Sequence, residues 1–172
     1  ARGEGFMKRL MADWDEELRE SCDLAVLSGQ RQRYEYFGYT SGGLKLQWTV
    51  DEANIRHALR SVDDGSFSFR PLAESPEALA LAQELHLRRP ARVYRAPVLF
   101  EEGLRSFGMH PLAILKKGKA AGYLTASSDS RTINEIALED NEDLGPVIKA
   151  FFACYRPGHV TIAASATATA LN

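Results

Sequence analysis

A glycine-bearing turn opens directly onto a helix near the start of this chain, and that junction restricts the fold more than any other stretch. It reads Arg2-Gly3-Glu4-Gly5, followed by Phe6, Met7, Leu10, Met11, Trp14 and Leu18 at helical spacing. That period predicts a helix with one apolar face packed on a neighbour. A short apolar run, Leu24-Ala25-Val26-Leu27, is the buried strand expected after it. Glycine has no Cβ, so the first N–H groups of the helix can approach an anion closely. With Arg2 alongside, the turn reads as a phosphate cradle on a sheet. The same residues also allow a plain capping turn.

Composition removes several function classes. A chain of 172 residues holds one full domain, or one domain and part of another. Hydrophobic residues at 45% and charged residues at 26% supply an ordinary globular core and surface. A net charge of −2 offers no bulk attraction for nucleic acid or a membrane surface. No apolar run approaches the roughly 20 residues that span a bilayer. Cys22 and Cys154 form neither a metal spacing nor a disulfide framework, so a reduced, cytoplasmic setting is expected. His57, His86, His110 and His159 lack partners at ligand spacing and read as structural surface or boundary residues; no metal is expected. The basic runs Arg88-Arg89-Pro90-Ala91-Arg92 and Lys116-Lys117-Gly118-Lys119 read as a solvated helix end and a charged hairpin tip.

From residue 44 onward, two periodicities alternate. Leu44 to Val50 alternates apolar and polar residues as a half-buried strand does, and Asp51 reads as the N-cap of a helix over 52–62. Asp63-Asp64-Gly65-Ser66 is the clearest boundary signal. Beyond it, a strand is expected at 67–72. A helix should follow, opened by Ser75-Pro76, with Leu79, Ala82, Leu85 and His86 inward; Pro90 blocks its continuation. A second helix is expected over 97–107, then a hairpin of 111–115 and 120–126 with Gly118 in its turn. A strand at 131–138, a helix at 142–154 and a strand at 159–165 complete the pattern.

The opening turn, helix and strand resemble the GNAT acetyltransferases. In that family an Arg/Gln-x-x-Gly-x-Gly/Ala loop at a helix N-terminus holds the pyrophosphate of acetyl-CoA. Tyr34-Glu35-Tyr36-Phe37-Gly38-Tyr39 looks like the family's tyrosine-bearing helix, which ends in Phe-Gly-Tyr. Leu46-Gln47-Trp48-Thr49-Val50-Asp51 is similar to the next segment of the tandem-GNAT branch, the Eis-like ("enhanced intracellular survival") proteins. The resemblance implies an α/β protein with a mixed GNAT sheet. Residues 1–50 would be the C-terminal half of a catalytic GNAT domain, 51–65 a connecting helix and turn, and 66–172 a second GNAT-like domain. The segments Gly118 to Leu124 and Asn134 to Leu138 look like that family's second to fourth strands. Where the second domain would place its phosphate loop, the chain instead has Glu139-Asp140-Asn141-Glu142-Asp143-Leu144-Gly145, whose acids repel a pyrophosphate. That domain is expected to be degenerate. A phosphate loop needs a strand before it to aim it, so the chain reads as part of a longer protein.

The implied activity is acetyl transfer from acetyl-CoA to a primary amine: a polyamine, an aminoglycoside-like amine or a lysine side chain. Tyr34 matches the tyrosine that protonates the departing thiolate, a role suited to a phenol whose reference pKa is about 10. Arg2, Gly3 and Gly5 match the cofactor contacts, although the first residue of the family loop falls before Ala1. The Eis-like branch implies the protein's own C-terminal carboxylate as base, and Asn172 does not resemble that end. A homo-oligomer is implied, with no nucleic acid or membrane partner. The rival reading is a non-catalytic assembly and interaction module.

Overall fold

The alternation at 45–51 becomes an edge strand. A computed structural model of the chain describes residues 3–42, 45–64, 66–90 and 92–165. It divides into two compact units, Ala1–Gly43 and Leu44–Asn172.

The first unit is carried by α1 (Phe6–Ser21) and the short α2 (Arg31–Glu35). The periodicity does form a helix, and the Asp15–Arg19 ion pair at 2.9 Å ties two of its turns. Its expected packing is not observed: no residue of α1 is buried, and Leu10 and Trp14 are each 57% exposed. The apolar stripe is present, but nothing among the described residues closes over it. The expected strand at Leu24–Leu27 is not one either. Its residues join no ladder, and Val26 is exposed. A strand needs a neighbour for its N–H and C=O groups, and this run has none among the described residues.

In the second unit, the described residues form a six-stranded sheet. Its strands are β1 (Lys45–Asp51), β2 (Phe67–Pro71), β3 (His110–Lys116), β4 (Lys119–Ala126), β5 (Thr132–Leu138) and β6 (His159–Ser165). The spatial order is β1-β6-β5-β4-β3-β2. Every neighbouring pair is antiparallel except β5 and β6, which are joined through α6 (Leu144–Tyr155). A parallel pair requires such a crossover. Its ladder is short, with only Thr132 opposite Thr161 and Ile133 opposite Ile162. Along its whole length β1 pairs with β6, from Lys45 opposite Ser165 to Asp51 opposite His159. The unit boundary therefore precedes β1, whereas the sequence pointed to the polar turn at 63–66.

Local chemistry sets most of the element ends. Asp51 accepts from the Asn54 N–H at 2.8 Å while the Asn54 side chain accepts from the Asp51 N–H at 3.0 Å, a reciprocal cap that starts α3 (Glu52–Ala58). Pro76 occupies the first turn of α4 (Pro76–Arg88), although Ser75 makes no side-chain cap. The long helix expected over 97–107 is instead α5 (Phe100–Leu104) between two 3-10 turns. The Lys117-Gly118 hairpin turn has both φ angles positive, at 51° and 80°, as a two-residue turn between twisted strands requires.

Each face of the sheet holds a core. On one, Val147, Ile148 and Phe151 of α6 meet Ile114, Leu124, Ile133, Val160 and Ile162. On the other, Ala78, Ala82 and Leu85 of α4 and Phe100 and Leu104 of α5 meet Ala113, Leu115 and Tyr123. A bulge adjusts β5 between them. Thr125 lies opposite Glu135, but Ala126 lies opposite Ile133, so Asn134 is the extra residue. Beyond that point the alternation changes hand. Ile133 joins the α6 core, while Ala137, two positions past Glu135, lies against the α4 core.

Candidate functional site

The two glycines of the expected cradle precede α1. Gly3 and Gly5 adopt φ of 90° and 76°, which side chains disfavour, and a Cβ built on either would meet nothing within 4 Å. Gly5 is the N-cap of α1 and carries no side-chain cap, so the first N–H groups of that helix keep their donor capacity. Arg2 lies outside the described residues.

Tyr34 belongs to α2, and its backbone carbonyl accepts from the N–H groups of Phe37 and Tyr39. Its half-buried ring meets Tyr39 edge-on at 6.3 Å. The ring also lies over Gly29, where an added Cβ would come within 2.9 Å of it. Among the described residues the Tyr34 hydroxyl has no hydrogen-bond partner. The Lys8 ammonium sits 4.8 Å from the centre of the Tyr36 ring, linking α1 to the aromatic segment. Tyr34, Gly3 and Gly5 thus share one unit, and no hydrogen bond or ring contact joins them among the described residues.

In the second unit two acids of the loop after β5 have partners. Asp140 accepts from the Glu142 N–H at 3.0 Å, and Lys116 reaches both oxygens of Asp143 at 2.7 and 2.8 Å. That bond holds the Lys116 ammonium above its usual range. Lys116 is therefore a clamp between the β3 end and this loop, not simply a solvated hairpin tip.

One cluster was not anticipated. Glu135 on β5 receives a fork from Arg95, Nη1 at 3.0 Å to Oε1 and Nη2 at 2.9 Å to Oε2. Its Oε1 also takes Arg89 at 2.8 Å and the Tyr123 hydroxyl at 2.5 Å. Burial pushes the Glu135 carboxyl up, but the hydrogen bonds from Arg95 and Tyr123 and the Arg89 charge outweigh it and hold the pKa at about 2. Burial, then the Glu135 charge, raises the Tyr123 phenol well above its ordinary value. His86 is 3% exposed, so it is a core residue and not a surface or boundary one. Its Nε2 lies 2.9 Å from the Val93 carbonyl and its Nδ1 3.1 Å from Arg95 Nη1. The same Nδ1 lies 3.6 Å from Glu135 Oε1. An acid in the β5 strand and an arginine-rich segment after α4 were the available signals. Their pairing, 40 residues apart in sequence, was not.

Among the described residues, no group of three or more His, Cys, Asp or Glu side chains could hold a metal, and no helix is long and apolar enough to cross a membrane. No family model matches the chain, and neither does any curated protein. Solved structures do. One is a conserved protein of unknown function from Enterococcus faecalis V583, described as a probable N-acyltransferase: 16% identity, TM-score 0.59, covering 95% of this chain and 43% of that one. Another is a GCN5-related N-acetyltransferase from Kribbella flavida, with 15% identity and TM-score 0.56, covering 96% of this chain and 43% of that one. The chain spans less than half the length of either protein. At these identities the likeness concerns the fold: a mixed α/β sheet of the GNAT type.

Proposed function

We propose that the protein containing this sequence is an acetyl-CoA-dependent N-acetyltransferase of the tandem, Eis-like kind, acting on a primary amine of a polyamine, an aminoglycoside-like molecule or a lysine. The observation that carries the reading is the pair of left-handed glycines at the uncapped N-terminus of α1, in a chain with the fold of N-acetyltransferases. Backbone N–H groups there suit a pyrophosphate, and Arg2 would add charge. The amine nitrogen attacks the thioester carbonyl carbon, the C–N bond forms, and the C–S bond breaks. The Tyr34 hydroxyl gives its proton to the departing thiolate, and the amine releases its own to a base.

Calorimetry with acetyl-CoA, followed by turnover of a polyamine, tests this reading. Tyr34→Phe should lower kcat by about a hundredfold or more, the usual worth of a positioned acid, with the acetyl-CoA affinity unchanged. Unaltered turnover removes Tyr34 from the chemistry. Absence of acetyl-CoA binding removes the enzyme.

A second reading, an assembly module within a homo-oligomer, draws support from the uncovered apolar face of α1 and from the acidic loop after β5, where Asp140 caps the Glu142 N–H and Lys116 holds Asp143. In that reading the second unit, residues 66–172 above all, is a GNAT-like domain without a cofactor. Sedimentation would then give a large oligomer, and acetyl-CoA would leave its thermal unfolding unchanged.

A further inference from the structure

We propose that a second binding site, independent of the acetyl-CoA reading, lies in the arginine-lined cavity beside β5 and accepts the dianionic head of a small organic phosphate. The cavity has a volume of about 340 Å³ and is lined by His86, Arg89, Arg92, Val93, Arg95 and Glu135. That is room for more than a bare ion, since small-molecule sites begin at about 300 Å³.

Three guanidinium groups face one carboxylate, so the arginines and the glutamate leave the lining a surplus of two positive charges. A structural clamp on Glu135 is already complete without the third arginine. Oε1 takes Tyr123, Arg95 and Arg89, and Oε2 takes Arg95. Arg92 reaches only a backbone carbonyl, that of Arg89, at 3.1 Å. Among the described residues no carboxylate lies within ion-pair distance of it. Arg88, by contrast, turns away and pairs with Glu84 at 2.5 Å. The run after α4 therefore divides: one arginine is spent on the helix surface, and Arg89, Arg92 and Arg95 converge on the cavity.

Like charges held this close repel, and a bound anion offsets that repulsion. The geometry also fits the chemistry. Arg95 and Arg89 are positioned by Glu135 before any ligand arrives, which lowers the ordering cost of binding. Arg92 retains unpaired donors, and guanidinium groups match the oxygens of a phosphate. Two surplus charges suit a phosphate monoester better than a monocarboxylate, and Val93 gives its organic part an apolar wall.

Phenyl phosphate, inorganic phosphate and benzoate, titrated calorimetrically into the intact protein, test the proposal. Saturable binding of phenyl phosphate is expected, with benzoate about tenfold weaker or worse. Arg92→Gln should weaken phenyl phosphate by about tenfold or more, the loss of a charged hydrogen bond, at unchanged melting temperature, because Arg92 is exposed and packs into no core. No saturation with phenyl phosphate up to about 10 mM overturns the site. So does an affinity that Arg92→Gln leaves intact, since the anion then binds elsewhere. Inorganic phosphate binding as tightly as phenyl phosphate overturns the organic ligand.

Discussion

Glu135 shows how one side chain can organise two elements. Its carboxylate gathers donors from the segment after α4, through Arg89 and Arg95, and from β4, through Tyr123. Its pKa of about 2 lies below the ordinary carboxylate value of about 4.3. The stabilisation it contributes is therefore fully present above the unfolded value and is lost as pH falls from about 4.3 towards 2. A carboxyl held that far down contributes roughly 3 kcal/mol. Urea unfolding between pH 5 and 2 should show that loss, and Glu135→Gln should flatten it. At neutral pH the same variant removes the negative charge that two guanidinium groups share and turns one acceptor oxygen into an amide NH2, and it should cost about 3 kcal/mol, read as a lower urea midpoint with an unchanged slope. A variant as stable as the parent would show that Glu135 holds nothing together.

Among the elements, β4 and β5 approach one another closely at Gly122. A Cβ at Gly122 would stand 2.3 Å from the Ala137 carbonyl oxygen and 3.1 Å from the Leu138 Cα. Backbone at that distance cannot yield without parting the strands, so Gly122→Ala should destabilise by about 3 kcal/mol or more, measured by thermal and urea unfolding. The strand pattern alone does not show what approaches Gly122, because the close contacts come from the next strand, β5. Elements governed by neighbours a few residues away were legible: Asp51 and Asn54 start α3, Pro76 starts α4, and Lys117-Gly118 turns the hairpin. The Asn134 bulge was not, since period alone assumes an unbroken ladder. The candidate residues divide in the same way. Gly3, Gly5 and Tyr34 could be named from local pattern. The Glu135 cluster needed the sheet to bring α4 and β5 together before its residues became neighbours.

At the scale of the molecule, the two units differ in how they are held. The second unit buries Ile114, Tyr123, Leu124, Val147 and Phe151 completely, whereas α1 buries nothing and exposes Phe6, Leu10 and Trp14. Isolated helices of this length are marginal in water, because packing of the apolar face supplies most helix stability. Hydrogen exchange on the 172-residue chain should therefore find the α1 amides weakly protected. Those of β4 and of α6 from Val147 to Phe152 should open only with global unfolding. Strong protection of α1 would mean that another surface closes over Phe6, Leu10 and Trp14. The dependence of that protection on protein concentration then separates the two sources. A second copy protects α1 more as concentration rises, whereas a contact within one chain protects it equally at every dilution. The first result favours the assembly reading. The second makes α1 a packed element of its own chain, with its glycine turn held in the fixed orientation that a pyrophosphate site requires.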